Sequence, residues 1–209
     1  MNDIRALLSR NPIVPVVVFD NGASAPDLVA ALAAGGIQCA EITLRTPSGV
    51  AAIAAVAGTE GFSVGAGTVL NLADLERVAD AGAEFIVSPG FDQELVERAR
   101  ELGLAVLPGV ATASEIQQAA KTGLDVVKFF PANRLGGLPT IAALSAPFGN
   151  MQFVPSGGVT LANATEYLSH AAVPAVSGSW MVGRDLIREG DFAAIERLSA
   201  EATKAVASR

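Results

Sequence analysis

The chain has 209 residues, 51% of them hydrophobic and only 17% charged, with a net charge of −7 and one cysteine. The length allows a large buried core, the absence of any basic cluster argues against nucleic-acid binding, and a lone Cys39 rules out an intramolecular disulfide. No run approaches the roughly 18 apolar residues of a membrane span, and Met1-Asn2-Asp3-Ile4-Arg5 lacks the blocks of a secretion signal, so a cytoplasmic protein is expected.

Taken in order, the chain predicts a helix over 3–10 and then a repeating unit. Each unit is a short apolar run, a Gly, Pro, Ser or Thr punctuation and an amphipathic stretch. The first four strands are expected at 13–19, 37–43, 62–66 and 85–88, with helices at 25–34, 48–57, 72–81 and 93–102. Strands five to eight are expected at 105–107, 126–129, 152–154 and 175–177. Their helices follow at 113–122, 139–146 and 162–169, then as an irregular stretch from Arg184. A last helix is expected over 192–207.

Asn71 reads as an N-cap, and Thr112 with Glu115 as a capping box. Gly35, Gly82, Gly103 and Gly123 sit where left-handed residues close helices. Continuous apolar strands suit a parallel sheet covered on both faces. Eight strand–helix units predict a single (β/α)8 barrel, one domain over 1–209, with an extra N-terminal and a C-terminal helix. The competing architecture is an open doubly wound sheet.

Barrel active sites form at the C-terminal ends of the strands. There the sequence places Glu41 and Arg45, Thr68, Pro89, Lys128 and Phe130, Ser156-Gly157-Gly158, and Gly178-Ser179. Of the three lysines, Lys121 and Lys204 lie on helices and are expected in solvent, whereas Lys128 is embedded in the apolar strand Val126-Val127-Lys128-Phe129. Burial disfavours the ammonium form, and a neutral amine attacks carbonyl carbon. The alternatives are a lysine that snorkels to water or pairs with Glu41. Glu41 is suited to proton transfer, or to a structural salt bridge. Arg45 is suited to gripping a carboxylate with two hydrogen bonds, or is an ordinary loop arginine. Glycine-rich turns after strands seven and eight occupy the frequent phosphate position of such barrels. One histidine, His170, expected on the surface, and one cysteine, expected in the core, build no metal-ligand set.

The segments 41–46 (EITLRT), 65–70 (GAGTVL), 88–90 (SPG), 128–132 (KFFPA), 156–158 (SGG) and 178–180 (GSW) resemble the 2-keto-3-deoxy-6-phosphogluconate (KDPG) aldolase and 4-hydroxy-2-oxoglutarate aldolase family. The resemblance runs in order from about residue 14 to 191. It implies a class I aldolase on the Entner–Doudoroff route that yields pyruvate and glyceraldehyde 3-phosphate. By the same resemblance Lys128 forms the imine and Glu41 moves protons. Arg45 and Thr68 hold the carboxylate, Pro89 and Phe130 shape the pocket, and Gly157, Gly158, Gly178 and Ser179 bind the phosphate. It further implies a homotrimer, a phosphorylated 2-keto acid as the partner, and no metal or organic cofactor. Ser156 stands where typical members carry Thr, which keeps the hydroxyl and loses a methyl. Relatives acting on the galactonate epimer usually depart from the patterns at 44–46 and 128–132, which favours the gluconate substrate. The other readings are an epimerase or transferase on a phosphate-binding barrel, and a catalytically silent sugar-phosphate binder. A pure binder has no use for a buried amine.

Overall fold

In the computed structural model, which describes residues 3–207, strands and helices alternate along the chain. Helix α1 (Ile4–Arg10) precedes β1 (Ile13–Val17), α2 (Ala25–Ala34), β2 (Cys39–Thr43), α3 (Gly49–Val56), β3 (Ser63–Gly67), α4 (Leu72–Asp80), β4 (Phe85–Val87) and α5 (Gln93–Glu101). There follow β5 (Ala105–Leu107), β6 (Gly109–Val110), α6 (Ala113–Lys121), β7 (Val126–Phe129), α7 (Gly137–Ser145) and β8 (Gln152–Pro155). The chain continues through α8 (Leu161–Leu168), β9 (Val176–Gly178), α9 (Arg184–Glu189) and α10 (Phe192–Ala207).

All pairings among these strands are parallel, in the orders β5-β4-β3-β2-β1-β9 and β6-β7-β8. Two junctions join the sheets into a ring. β5 and β6 are halves of one strand on either side of Pro108, which has no N–H to give to a ladder. On the other side, Ser156 bridges in parallel to Ser177 and ties β8 to β9. The fold is therefore a (β/α)8 barrel with helices at both termini. The open doubly wound sheet is excluded, because no free edge is left between β8 and β9.

Side chains alternate across a strand, and the alternation here separates two apolar layers. Val14, Cys39, Phe85, Val87, Ala105, Leu107, Val126, Val154 and Ala175 pack with Ile4, Leu7 and Leu8 of α1. They fill the barrel, and α1 closes its base. Ile13, Val17, Ala40, Ile42, Val64, Ala66, Ile86, Val127 and Phe129 pack beneath the surrounding helices instead. Glu41 lies two residues after Cys39, and Lys128 two after Val126, so both enter the interior. Among the described residues no helix is long and apolar enough to cross a membrane.

Helix caps form where expected. Asn71 accepts from the Asp74 N–H at 2.8 Å, and Thr112 and Glu115 form a reciprocal capping box. Several boundaries shift. β1 ends at Val17 rather than 19, β2 starts at Cys39 rather than 37, β3 spans Ser63–Gly67 rather than 62–66, and β9 spans Val176–Gly178 rather than 175–177. Helix α7 starts at Gly137, ahead of the expected 139, and 3-10 turns at Gly22–Ser24 and Ala132–Leu135 fall in stretches without a predicted element. Gly35 is not left-handed (φ −78°); Gly36, at φ 85°, takes that role. The reason for glycine at position 35 is a close approach, since an added Cβ would lie 2.4 Å from the Cβ of Ser199 on α10. His170 is at the surface and half-buried there, its Nδ1 accepting from the Ala172 N–H at 3.2 Å. Cys39 is fully buried, and burial pushes its thiol far up from the ordinary range.

Candidate active site

Strands β2 and β7 bring Glu41 and Lys128 together inside the mouth of the barrel. The Lys128 Nζ donates to Glu41 Oε1 at 3.3 Å, with side chains 6% and 1% exposed. Lys128 therefore does not snorkel to water. Glu41 Oε2 is buried without a hydrogen-bond partner among the described residues. The Lys128 Nζ also lies 5.4 Å from the centre of the Phe130 ring, a cation–π distance. Taking two charges out of water costs roughly several kcal/mol per ion, and a single contact with one carboxylate oxygen left bare compensates poorly. A pair of apolar side chains would serve the core better. The pair is thus an expense that stability does not explain, which is the mark of a working site.

The neighbouring backbone is shaped around this pair. Gly67 is paired with Thr43 across β2 and β3, and a Cβ on it would meet Glu41 Oε1 at 2.2 Å. Glycine at position 67 therefore makes the space that the carboxylate occupies. The next residue, Thr68, takes a left-handed conformation at φ 60°. For a β-branched residue that stores about 1–3 kcal/mol of strain, which tends to persist only at functional corners. On β7 the Lys128 N–H is held by the Pro108 carbonyl at 2.9 Å, so the break in the fifth strand also fixes the lysine backbone.

The loop carrying Arg45 is sewn to the end of β1. The hydroxyls of Thr43 and Ser48 donate to the carbonyls of Val17 and Asp20, both at 2.9 Å, and the Thr46 hydroxyl donates to Phe19. The Arg45 side chain is exposed and has no hydrogen bond or ion pair among the described residues. The turns after β7 and β8 are joined in the same way: Ala132 N–H donates to the Ser156 carbonyl at 2.7 Å, and Asn133 N–H to Gly157 at 3.0 Å. Gly157 and Gly158 are both left-handed, at φ 92° and 82°, a turn that leaves bare backbone at the surface.

A cavity of about 380 Å³ opens near the buried pair, with Phe130, the ring that faces the Lys128 amine, in its wall. Arg45, Phe130, Ser156, Gly157, Gly158, Gly178 and Ser179 line it, as do Val16, Val18, Val159, Val182, Gly183 and Arg184. Of the residues picked from the sequence, Lys128 and Glu41 are nearly closed off from solvent and are not part of its wall. Thr68 is half-buried and Pro89 exposed, and neither is part of its wall. Sequence reasoning missed Arg184, which lies just beyond the Gly178-Ser179 turn. Asking which cation could face a phosphate at that turn would have found it.

The arrangement thus offers a buried amine, a carboxylate that can exchange protons with it, and an open polar cavity with arginines at its rim. The sequence profile of the family described as KDPG and KHG aldolase matches residues 4–198. The 2-dehydro-3-deoxy-phosphogluconate aldolase of Treponema pallidum is 42% identical over 200 residues, covering 95% of both chains. A crystal structure of the Zymomonas mobilis 2-keto-3-deoxy-6-phosphogluconate aldolase with 3-phosphoglycerate superposes with a TM-score of 0.90 at 40% identity, covering 97% of this chain and 95% of the other. The KDPG aldolase of Legionella pneumophila, with pyruvate captured as a covalent carbinolamine, gives 0.91 at 36% identity, covering 95% and 97%. A buried lysine–glutamate pair in a parallel barrel and similarity along nearly the whole chain lead to one assignment: the chain belongs to the KDPG and KHG aldolase family.

Proposed function

We propose that this protein cleaves 2-keto-3-deoxy-6-phosphogluconate to pyruvate and glyceraldehyde 3-phosphate through an imine on Lys128. The observation that carries the reading is the 3.3 Å contact between the Lys128 amine and the Glu41 carboxylate in a site only a few per cent exposed. The carbinolamine captured in the Legionella relative supports the same chemistry.

The steps follow from the residues. The Lys128 nitrogen, one proton passed to Glu41, adds to the C2 ketone, and the carbonyl oxygen takes a second proton from that nitrogen to become a hydroxyl. Glu41 returns a proton to that hydroxyl, water leaves, and a protonated imine remains. Glu41 then takes the proton of the C4 hydroxyl. The C4–O bond becomes a carbonyl, the C3–C4 bond breaks, and its electron pair enters the iminium to give an enamine. Glyceraldehyde 3-phosphate departs, C3 takes a proton from Glu41, and water releases pyruvate and the free amine. The iminium is itself the electron sink.

Of the cavity's lining residues, Arg45 holds the C1 carboxylate, Phe130 walls the pyruvate end and the Ser156 hydroxyl meets the hydroxylated carbons; Thr68 and Pro89, which lie outside that lining, complete the carboxylate and pyruvate ends once substrate is bound. The bare turns at Gly157, Gly158, Gly178 and Ser179 receive the 6-phosphate, whose binding orients the reacting carbons. The family description, which names KHG beside KDPG, supports 4-hydroxy-2-oxoglutarate as a second substrate of the same site. We read the chain as one domain that works as a homotrimer in the cytoplasm.

The decisive measurement is trapping. Protein incubated with pyruvate and reduced with borohydride gains the mass of one reduced pyruvate per chain, located on Lys128, and Lys128→Ala gains nothing. An unchanged mass of the folded native protein defeats the imine mechanism.

A further inference from the structure

The substrate read above is anionic at both ends, with a carboxylate at C1 and a phosphate at C6. Two guanidinium groups, Arg45 and Arg184, line the cavity among the described residues. Arg45 belongs to the loop after β2. Arg184 follows β9, and it borders the cavity together with Gly158, Gly178 and Ser179. Glycine turns offer N–H donors but no net charge. A phosphate taken out of water requires compensating charge, and charge-assisted hydrogen bonds are roughly twice as strong as neutral ones. Among the described lining residues that charge comes from Arg45 and Arg184, and Arg184 is the one that follows the Gly178-Ser179 turn in the chain.

The guanidinium is already held in place. Arg184 Nε lies 3.1 and 3.0 Å from the two carboxylate oxygens of Asp20, in the loop after β1, and Nη2 bonds the same carboxylate. Nη1 has no partner among the described residues. The side chains are 56% and 42% exposed, so the pair adds little to stability. What it does is keep a long side chain at the cavity with one donor edge unused, and a planar fork suits a phosphate better than a point charge.

We propose that Arg184 is a specificity-determining residue for the phosphorylated end of the substrate. The inference rests on the aldolase reading and adds a charged group to the glycine turns. It is tested by comparing native protein, Arg184→Ala and Arg184→Lys in two measurements. Calorimetric titration with inorganic phosphate reads the site without turnover, and steady-state kinetics read the ratio of kcat/KM for the 6-phosphorylated substrate to that for unphosphorylated 4-hydroxy-2-oxoglutarate. In Arg184→Ala the phosphate affinity and the kcat/KM ratio each fall about tenfold or more, mainly through KM, and Arg184→Lys recovers part of both. Native protein that binds no phosphate, an Ala variant with native phosphate affinity, or equal loss on both substrates overturns the proposal. Failure of native protein to trap pyruvate defeats the aldolase reading instead, and the phosphate titration still decides the role of Arg184.

Discussion

At position 128 the strand and the side chain pull in opposite directions. Val126, Val127 and Phe129 make an apolar strand, and Lys128 carries an amine into the barrel with Glu41 as its only ionic partner among the described residues. That conflict was visible in the sequence, because a lysine inside such a run is unusual wherever the strand ends up. The identity of its partner was not visible, since Glu41 is 87 residues away. Two substitutions separate chemistry from architecture here. Glu41→Gln keeps the volume and removes the proton acceptor, so borohydride trapping of pyruvate still reaches Lys128 but more slowly, while turnover falls by roughly a hundredfold or more. Gly67→Ala puts a methyl into space held by Glu41 Oε1 and displaces the carboxylate, so turnover falls again with Glu41 intact. Normal turnover in both variants, measured as pyruvate release, would remove Glu41 from the mechanism.

Elements set the site through their ends. The C-terminal ends of β2, β7, β8 and β9 each deliver a residue to the cavity or near it, and the hydroxyls of Thr43, Thr46 and Ser48 lock the Arg45 loop to β1. Helix α6 shows how local sequence secures an element. Burial alone would raise the Glu115 carboxyl, but the N–H groups of Ala111 and Thr112 and the Thr112 hydroxyl donate to it and hold it below the usual carboxylate range. A carboxyl depressed in the folded state stabilises fully above its unfolded pKa of 4.5, and that contribution is lost as pH falls through the folded value. Glu115→Gln therefore flattens the acid side of the stability-versus-pH curve in denaturant titrations. Thr112→Ala costs about 1 kcal/mol at neutral pH. An unchanged acid slope in the Gln variant would show that the cap has no electrostatic part.

For the whole molecule, closure of the barrel is the central fact. It removes sheet edges, buries both faces of the strands and leaves the wide mouth as the place where polar residues converge. The proposed homotrimer is a property of this scale. Sedimentation equilibrium of the native protein at micromolar concentration gives three times the 21.2 kDa of one chain, and a monomer mass under those conditions rejects it.

The order of strands and helices, the caps at Asn71 and Thr112 and the strand-end motifs are local patterns, and the sequence by itself determined them. Burial, turn chemistry and side-chain alternation act over a few residues, so Lys128, Arg45 and the glycine turns could be picked out before any coordinates. Only the tertiary structure decided what met what. Strand register and the junction at Ser156–Ser177 set which residues share a layer, and no local pattern encodes them. The same is true of Arg184, which stands at the start of a stretch without clear periodicity and meets Asp20 across 164 residues. The register brought Glu41 beneath the mouth beside Lys128, and the ring closure set Arg184 in the wall of the same cavity as the glycine turns.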